Sequence, residues 1–248
     1  MKMATKKNGN GNGNGRLPAV LADAFAEDTG IGFEEVTSND IQIPFVRILQ
    51  AMSPQIKKSD PAFISGATQG DIFDTVTNEV WSGDKGIVVL PVYFQTKYLE
   101  FASNSNDVQK AVRDQDSGME LLENGNELVR SAQHYVKICH KDGTLENAIV
   151  DMKKTQLKKS RLWLSMMMMQ KHKGTTLPIF ATTYRLKTIE DGNDKGSWYT
   201  WTIAVEGRVS SIEAYNDAKQ LHGSIKSGEL RIAPPPPEPA VTDEDIPF

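Results

Sequence analysis

GIVVLPVYFQTKYLEF, residues 86–101, decides the class of this chain. The run is dominated by β-branched, aromatic and aliphatic side chains, a composition that suits a half-buried pleated surface, and it reads as one long strand. Pro91 has no N–H to give to a ladder, so it marks an edge strand or a bulge within that run. Upstream, GDIFDTVTNEVWSGDK (70–85) holds short β-rich pieces broken at Thr77-Asn78 and Ser82-Gly83-Asp84, as hairpin connections would be. Downstream, AQHYVKICHKDG (132–143) and LENAIVDMKK (145–154) read as a hairpin turning at Asp142-Gly143. PIFATTYRLKTI (178–189) and GSWYTWTIAVEG (196–207) add two more strands.

Between those strand pairs lies TQLKKSRLWLSMMMMQKHKG (155–174), with no Gly or Pro before Gly174. Apolar Leu157, Leu164 and Met168 predict a helix, with Gly174 just past its end. Residues 211–227 predict a final helix, and LPAVLADAFAED (17–28) a short one ending near Gly30. Short strands, close turn signals and a helix between the strand pairs predict a mainly β fold: an OB-type barrel with accessory helices. A β-sandwich is the rival arrangement.

The ends are different in kind. Gly9–Gly15 alternates Gly with Asn and offers nothing to bury, so residues 1–16 predict a flexible basic arm. PPPPEPAV (234–241) is a stiff spacer, and the acidic residues after it predict a disordered tail. The expected organisation is therefore an arm over 1–16, a binding domain over 17–233 with a polar excursion at 103–130, and a linker with tail over 234–248.

A length of 248 residues is ample for a core, and 39% hydrophobic with 24% charged residues is ordinary for a globular chain. No run approaches a membrane span, and the N-terminus lacks the apolar region of a secretory signal. One cysteine, Cys139, cannot form an internal disulfide, which predicts a reducing compartment. The net charge of −4 hides a strong asymmetry: residues 17–129 carry −11, residues 130–187 carry +9, and the last fifteen residues hold four acids and no base. That division predicts a cationic surface from one window of the chain, with an acidic tail to visit it.

Motifs for catalysis are missing: no GxxxxGK[ST], no GxGxxG opening a helix, no HExxH and no GxSxG. The histidines lack ligand spacing, with His134 and His140 expected at the surface. The reading is a protein without enzymatic activity, cofactor or metal. Single-stranded DNA suits the 130–187 window better, since it wants rings for its bases and cations for its backbone. In QHYVKICHK the period of two puts Tyr135, Lys137, Cys139 and Lys141 on one face, opposite Val136 and Ile138. Lys153, Lys154, Lys158, Lys159 and Arg161 continue the positive run, and Tyr184, Arg185 and Lys187 add a strand's worth. Trp198 lies opposite the core-like face of Tyr199, Trp201, Ile203 and Val205 and is a candidate for stacking. Trp163 and the run Met166–Met169 read as core.

The most specific signal is the ending: Asp243, Glu244, Asp245, Ile246, Pro247, Phe248. It resembles the Asp-Asp-Asp-Ile-Pro-Phe tip of bacterial and bacteriophage single-stranded DNA-binding proteins, with one Asp replaced by Glu and a Pro-rich linker before it. The body, above all GDIFDTVTNEVW and GIVVLPVYFQTKYLEF, resembles proteins of this kind from tailed bacteriophages. It lacks the close pattern of the main bacterial family, so that family's tetramer is not implied, and the oligomeric state stays open, a homo-oligomer included. The resemblance implies an OB fold that coats single-stranded DNA without sequence preference, in the cytoplasm of a bacterial host. It also implies a tail that docks replication, recombination and repair partners such as a polymerase, a helicase-primase or a nuclease. The rival reading is a replisome or transcription accessory that displays the same tail without coating DNA.

Overall fold

Ile87–Phe101 form a single strand, β4, in the computed structural model. The structure describes residues 21, 24, 25, 27, 28, 31–36, 42–101, 109–113, 125–194 and 196–230, with the backbone alone for 109–113. The arm over 1–16 and the linker and tail over 234–248 lie outside the described residues, as does most of 103–124.

In chain order the strands are β1 (Phe45–Ile48), β2 (Ile72–Asp74), β3 (Val80–Trp81), β4, β5 (Gln109–Arg113), β6 (Glu127–Cys139) and β7 (Leu145–Lys153). Helix α1 (Leu157–Met168), the small hairpin β8 (Lys171–His172) and β9 (Thr175–Thr176), β10 (Thr182–Asn193), β11 (Gly196–Arg208) and helix α2 (Ile212–Ser227) follow. Nine strands make one sheet in the order β11-β10-β4-β6-β7-β1-β2-β3, with β5 also on β4. All pairings are antiparallel except β1 with β7. The fold is mainly β with accessory helices, as expected, on a sheet longer than five strands.

The sheet curls into a half barrel because its two ends are held together. The Gln50 side chain donates through Nε2 to Tyr199 O and accepts at Oε1 from Tyr199 N–H, both at 2.9 Å. Thr188 N–H donates to Gly83 O at 3.1 Å, and Thr188 Oγ1 donates to Gly70 O. Gly83 is required here: a Cβ would collide with Thr188 Oγ1 and Gly70 O. Pro91 falls at a register shift between Pro91 and Tyr93 on central β4, so of its two expected roles the bulge is the one observed.

One side of the sheet buries Val46, Ile72, Val89, Val136, Val150, Tyr184, Leu186 and Trp201 against Trp163 and Met167 of α1. The other side is covered by α2, where Ala218, with Tyr215, Leu221 and Ile225, packs on Leu90, Val92 and Phe180. His222 Nδ1–H donates to Val92 O at 2.8 Å and pins α2 to β4. Strand β6, buried on both faces, therefore departs from a one-sided alternation.

Several expectations change with that packing. His134, expected at the surface, is 1% exposed. It lies stacked on Trp163 at 4.5 Å, with Nε2 2.8 Å from Ser160 Oγ. Helix α1 ends at Met168, earlier than expected, because Lys171–Thr176 pair as a hairpin instead. Its two-residue loop puts Lys173 at φ 48 and Gly174 at φ 83, the double left-handed geometry of a tight hairpin turn. Of the methionines expected in the core, Met167 is buried, whereas Met168 and Met169 are 72% and 76% exposed. Within the polar excursion, β5 and the first residues of β6 pair with the far end of β4.

Candidate nucleic-acid interface

The 130–187 window divides into cations that the fold neutralises and cations that it leaves unpaired. Lys137 belongs to the first group. It is 4% exposed, with Nζ 2.7 Å from Asp217 Oδ2 on α2 and 2.9 Å from Asn147 Oδ1 across the hairpin. Its expected place on an open strand face is corrected by the arrival of α2 on that face. Lys153 Nζ lies 3.2 Å from Asp151 Oδ2, and that carboxylate also accepts from Ser131 Oγ. Arg185 grips Glu206 with both forks, Nε to Oε2 at 2.8 Å, and reaches Lys85 O at 3.2 Å. The Glu206 hydrogen bonds raise the Arg185 guanidinium above its ordinary value, and the reciprocal bonds lower the Glu206 carboxyl. Lys187 is exposed beside this pair, and its charge adds to the lowering at Glu206.

Neither candidate tyrosine presents a ring to solvent. Tyr135 is 1% exposed among Ile43, Phe45 and Ile149, with its hydroxyl against Gln95 and Gln133. Burial is the main cause that raises its phenol. Tyr184 is 0% exposed, edge-on to Trp163 at 5.9 Å, and burial pushes its phenol up to about 12. As folded, these rings are core, which corrects their assignment to stacking. The reason is the same for both: their strands have neighbours on either edge and a helix above. Trp198 is half-buried and stands across from Asp191, near Glu190 and Asp194, an acidic setting for a DNA backbone.

The unpaired cations gather on α1 and the turns that flank it. Lys154, Lys158 and Arg161 are exposed; Lys158 and Arg161, three apart, share one face of α1, and Lys154 lies just before its start. Lys159 is half-buried beside them, and Lys171 and Lys173 are exposed on the hairpin past the helix. None of these six makes an ion pair to a described residue. Lys141 is exposed on the β6–β7 turn, next to Asp142, whose carboxyl is lowered by hydrogen bonds from Thr144. Twelve helical residues span about 18 Å, so this is a band and not a spot. Exposed Leu162, Met168 and Met169 lie along the same outward stripe.

Helix α1 is locally at odds with its own dipole. Its N-cap, Gln156, makes no side-chain cap bond, and its first turn holds no acid but has Lys158 and Lys159. Cations at the positive end of a helix, above N–H groups with no partner inside the helix, favour an anion there. Lys154, just before that end, adopts φ 47, and Lys173 φ 48, a left-handed conformation that is uncommon for lysine. The sequence reading missed Lys171 and Lys173 by extending the helix to Gly174; the Lys-Gly pair between short β-prone flanks is the signal that marks a hairpin turn.

Among the described residues, no three His, Cys, Asp or Glu side chains gather as a metal site would need, and no helix is long and apolar enough to cross a membrane. A family model described as Pam3 phage gp34-like protein matches residues 11–231. No curated protein and no solved structure matches the chain.

Proposed function

We propose that this chain, which belongs to the family of Pam3 phage gp34-like proteins, binds single-stranded DNA in the host cytoplasm and recruits partners through its acidic tail. The observation that carries the reading is the unpaired cationic band at the uncapped start of α1. Lys154, Lys158, Lys159 and Arg161 would take phosphates and release their counterions, which makes binding salt-dependent and largely indifferent to sequence. Lys171 and Lys173 extend the track. The exposed Leu162, Met168 and Met169 give bases an apolar surface where the buried tyrosines give none. The tail, Asp243–Phe248, supplies acids that can compete for the same band and an apolar tip for a partner's pocket.

Titration with oligo-dT across salt tests this reading. Full-length protein should bind with a steep negative dependence on salt, and Lys154→Ala/Lys158→Ala/Arg161→Ala should weaken binding and flatten that dependence. Equal affinity for duplex, or no change in the triple variant, would overturn it. Removal of residues 238–248 should leave or raise DNA affinity. The burial of Tyr135 and Tyr184 favours a second reading, an accessory protein that docks partners by the tail without coating DNA. That reading requires no binding to oligo-dT at all.

A further inference from the structure

The two ends of the main strand order are unlike. One is β3, only Val80 and Trp81, too short to recruit another strand. The other is β11, with thirteen residues from Gly196 to Arg208. Three hydrogen bonds fix which of its backbone groups face outward. Tyr199 gives both its N–H and its C=O to Gln50, so they point away from β10. Thr188, the register partner of Trp201, gives its N–H to Gly83 on the far side of β10. The period of two then turns the N–H and C=O of Trp201, Ile203 and Val205 to the free edge. No described residue bonds to them.

From Thr200 to Val205 this edge carries none of the usual guards. It has no Pro, no Lys and no bulge before the register shift near Glu206. Its margin is apolar, with Ala204 exposed, Val205 47% exposed and Ile189 52% exposed. Val205, expected in the core, sits instead beside that edge. The strand's ends also differ in charge. Gly196–Tyr199 pair with Glu190 and Asp191, whereas Arg208 lies at the other end, where its Nη2 donates to Lys171 O at 3.4 Å and Lys173 follows. An antiparallel copy would lay the acidic end of one strand on the basic end of the other, and bare edge groups are complemented best by a second identical edge.

We infer that β11 is a self-pairing edge through which two copies of this chain form a symmetric dimer. The ladder centres on Ile203, with Trp201 of each copy opposite Val205 of the other. It ends where Gln50 occupies Tyr199 and where the strand bulges near Glu206. The pairing does not depend on the nucleic-acid reading.

Sedimentation equilibrium on the full chain, over about 1 to 100 µM, tests it. The wild type should rise with concentration to twice the chain mass of 27.5 kDa. Val205→Pro removes one outward N–H at an exposed position without taking a bond from the β10–β11 ladder. Ala204→Lys places a charge on the exposed margin, near Lys187 of the other copy. Both should sediment as single chains while far-ultraviolet circular dichroism matches the wild type. Should the proline variant lose its fold, the lysine variant carries the test alone. A wild type that stays at single-chain mass throughout, or a folded Ala204→Lys that assembles as the wild type does, overturns the inference.

Discussion

Helices α1 and α2 pack on opposite sides of the sheet and reach stability by opposite routes. Helix α2 obeys the local rules: Ser211 Oγ accepts from Ala214 N–H at 3.3 Å, Glu213 sits in the first turn, Lys226 in the last, and Gly228 takes φ 76 just past the end. Helix α1 has no capping side chain, two lysines at its positive end and no base in its last turn. It is held by Trp163, Met167 and the Ser160–His134 contact. A helix that breaks its local rules and survives on packing is the first place to test for function, since functional sites are where local rules are expected to fail.

The sharpest way to break α1 is through that packing. Trp163 is 0% exposed between His134 and Tyr184. Trp163→Ala should cost about 3–5 kcal/mol, read as a loss of urea midpoint. A cost below about 1 kcal/mol would mean that α1 is not anchored there.

Acid offers a second way. Burial pushes the His134 imidazole from 6.5 down to about 3, so the fold accepts the neutral ring while the unfolded chain takes up a proton below pH 6.5. The stability this withholds from the unfolded state is complete above pH 6.5 and drains away as pH falls toward 3. At pH 5 the protein should be less stable than at pH 7 by about 2 kcal/mol from this group alone. His134→Gln, which keeps a partner for Ser160, should flatten that slope in urea melts. An unchanged slope would assign the acid sensitivity elsewhere.

On the α2 side, Ser211→Ala should cost about 1 kcal/mol and leave DNA affinity untouched. The smallest expected change in stability is the most informative. Lys158→Glu relieves the clash with the α1 dipole and should raise stability by about 0.3–1 kcal/mol. The same change should weaken binding to oligo-dT. If it stabilises without weakening binding, the cationic band is merely a solvated helix face.

Much of this architecture was legible in the residues. The turns at Asn78 and at Asp142-Gly143, the long run over 86–101, the β10–β11 pair and the final helix all rest on short-range physics: side-chain period, turn geometry and caps. The sorting of the 130–187 cations was not legible. Lys137 and Arg185 look like Lys154 and Lys158 in sequence, and only distant partners, Asp217 and Glu206, remove their charge from the surface. Tyr135 and Tyr184 were misread for a related reason.

What the sequence by itself determined is that this chain is mainly β and asymmetric in charge, with four acids and no base in residues 234–248. What only the tertiary structure decided is which face of each strand meets solvent. A period of two separates two faces but cannot say whether the second is later covered. On β6 it is covered by Ile43 and Phe45 and by a helix some eighty residues further along, and that packing turns a candidate DNA surface into core. The band on α1 remains outside because nothing in the described chain brings a carboxylate to it.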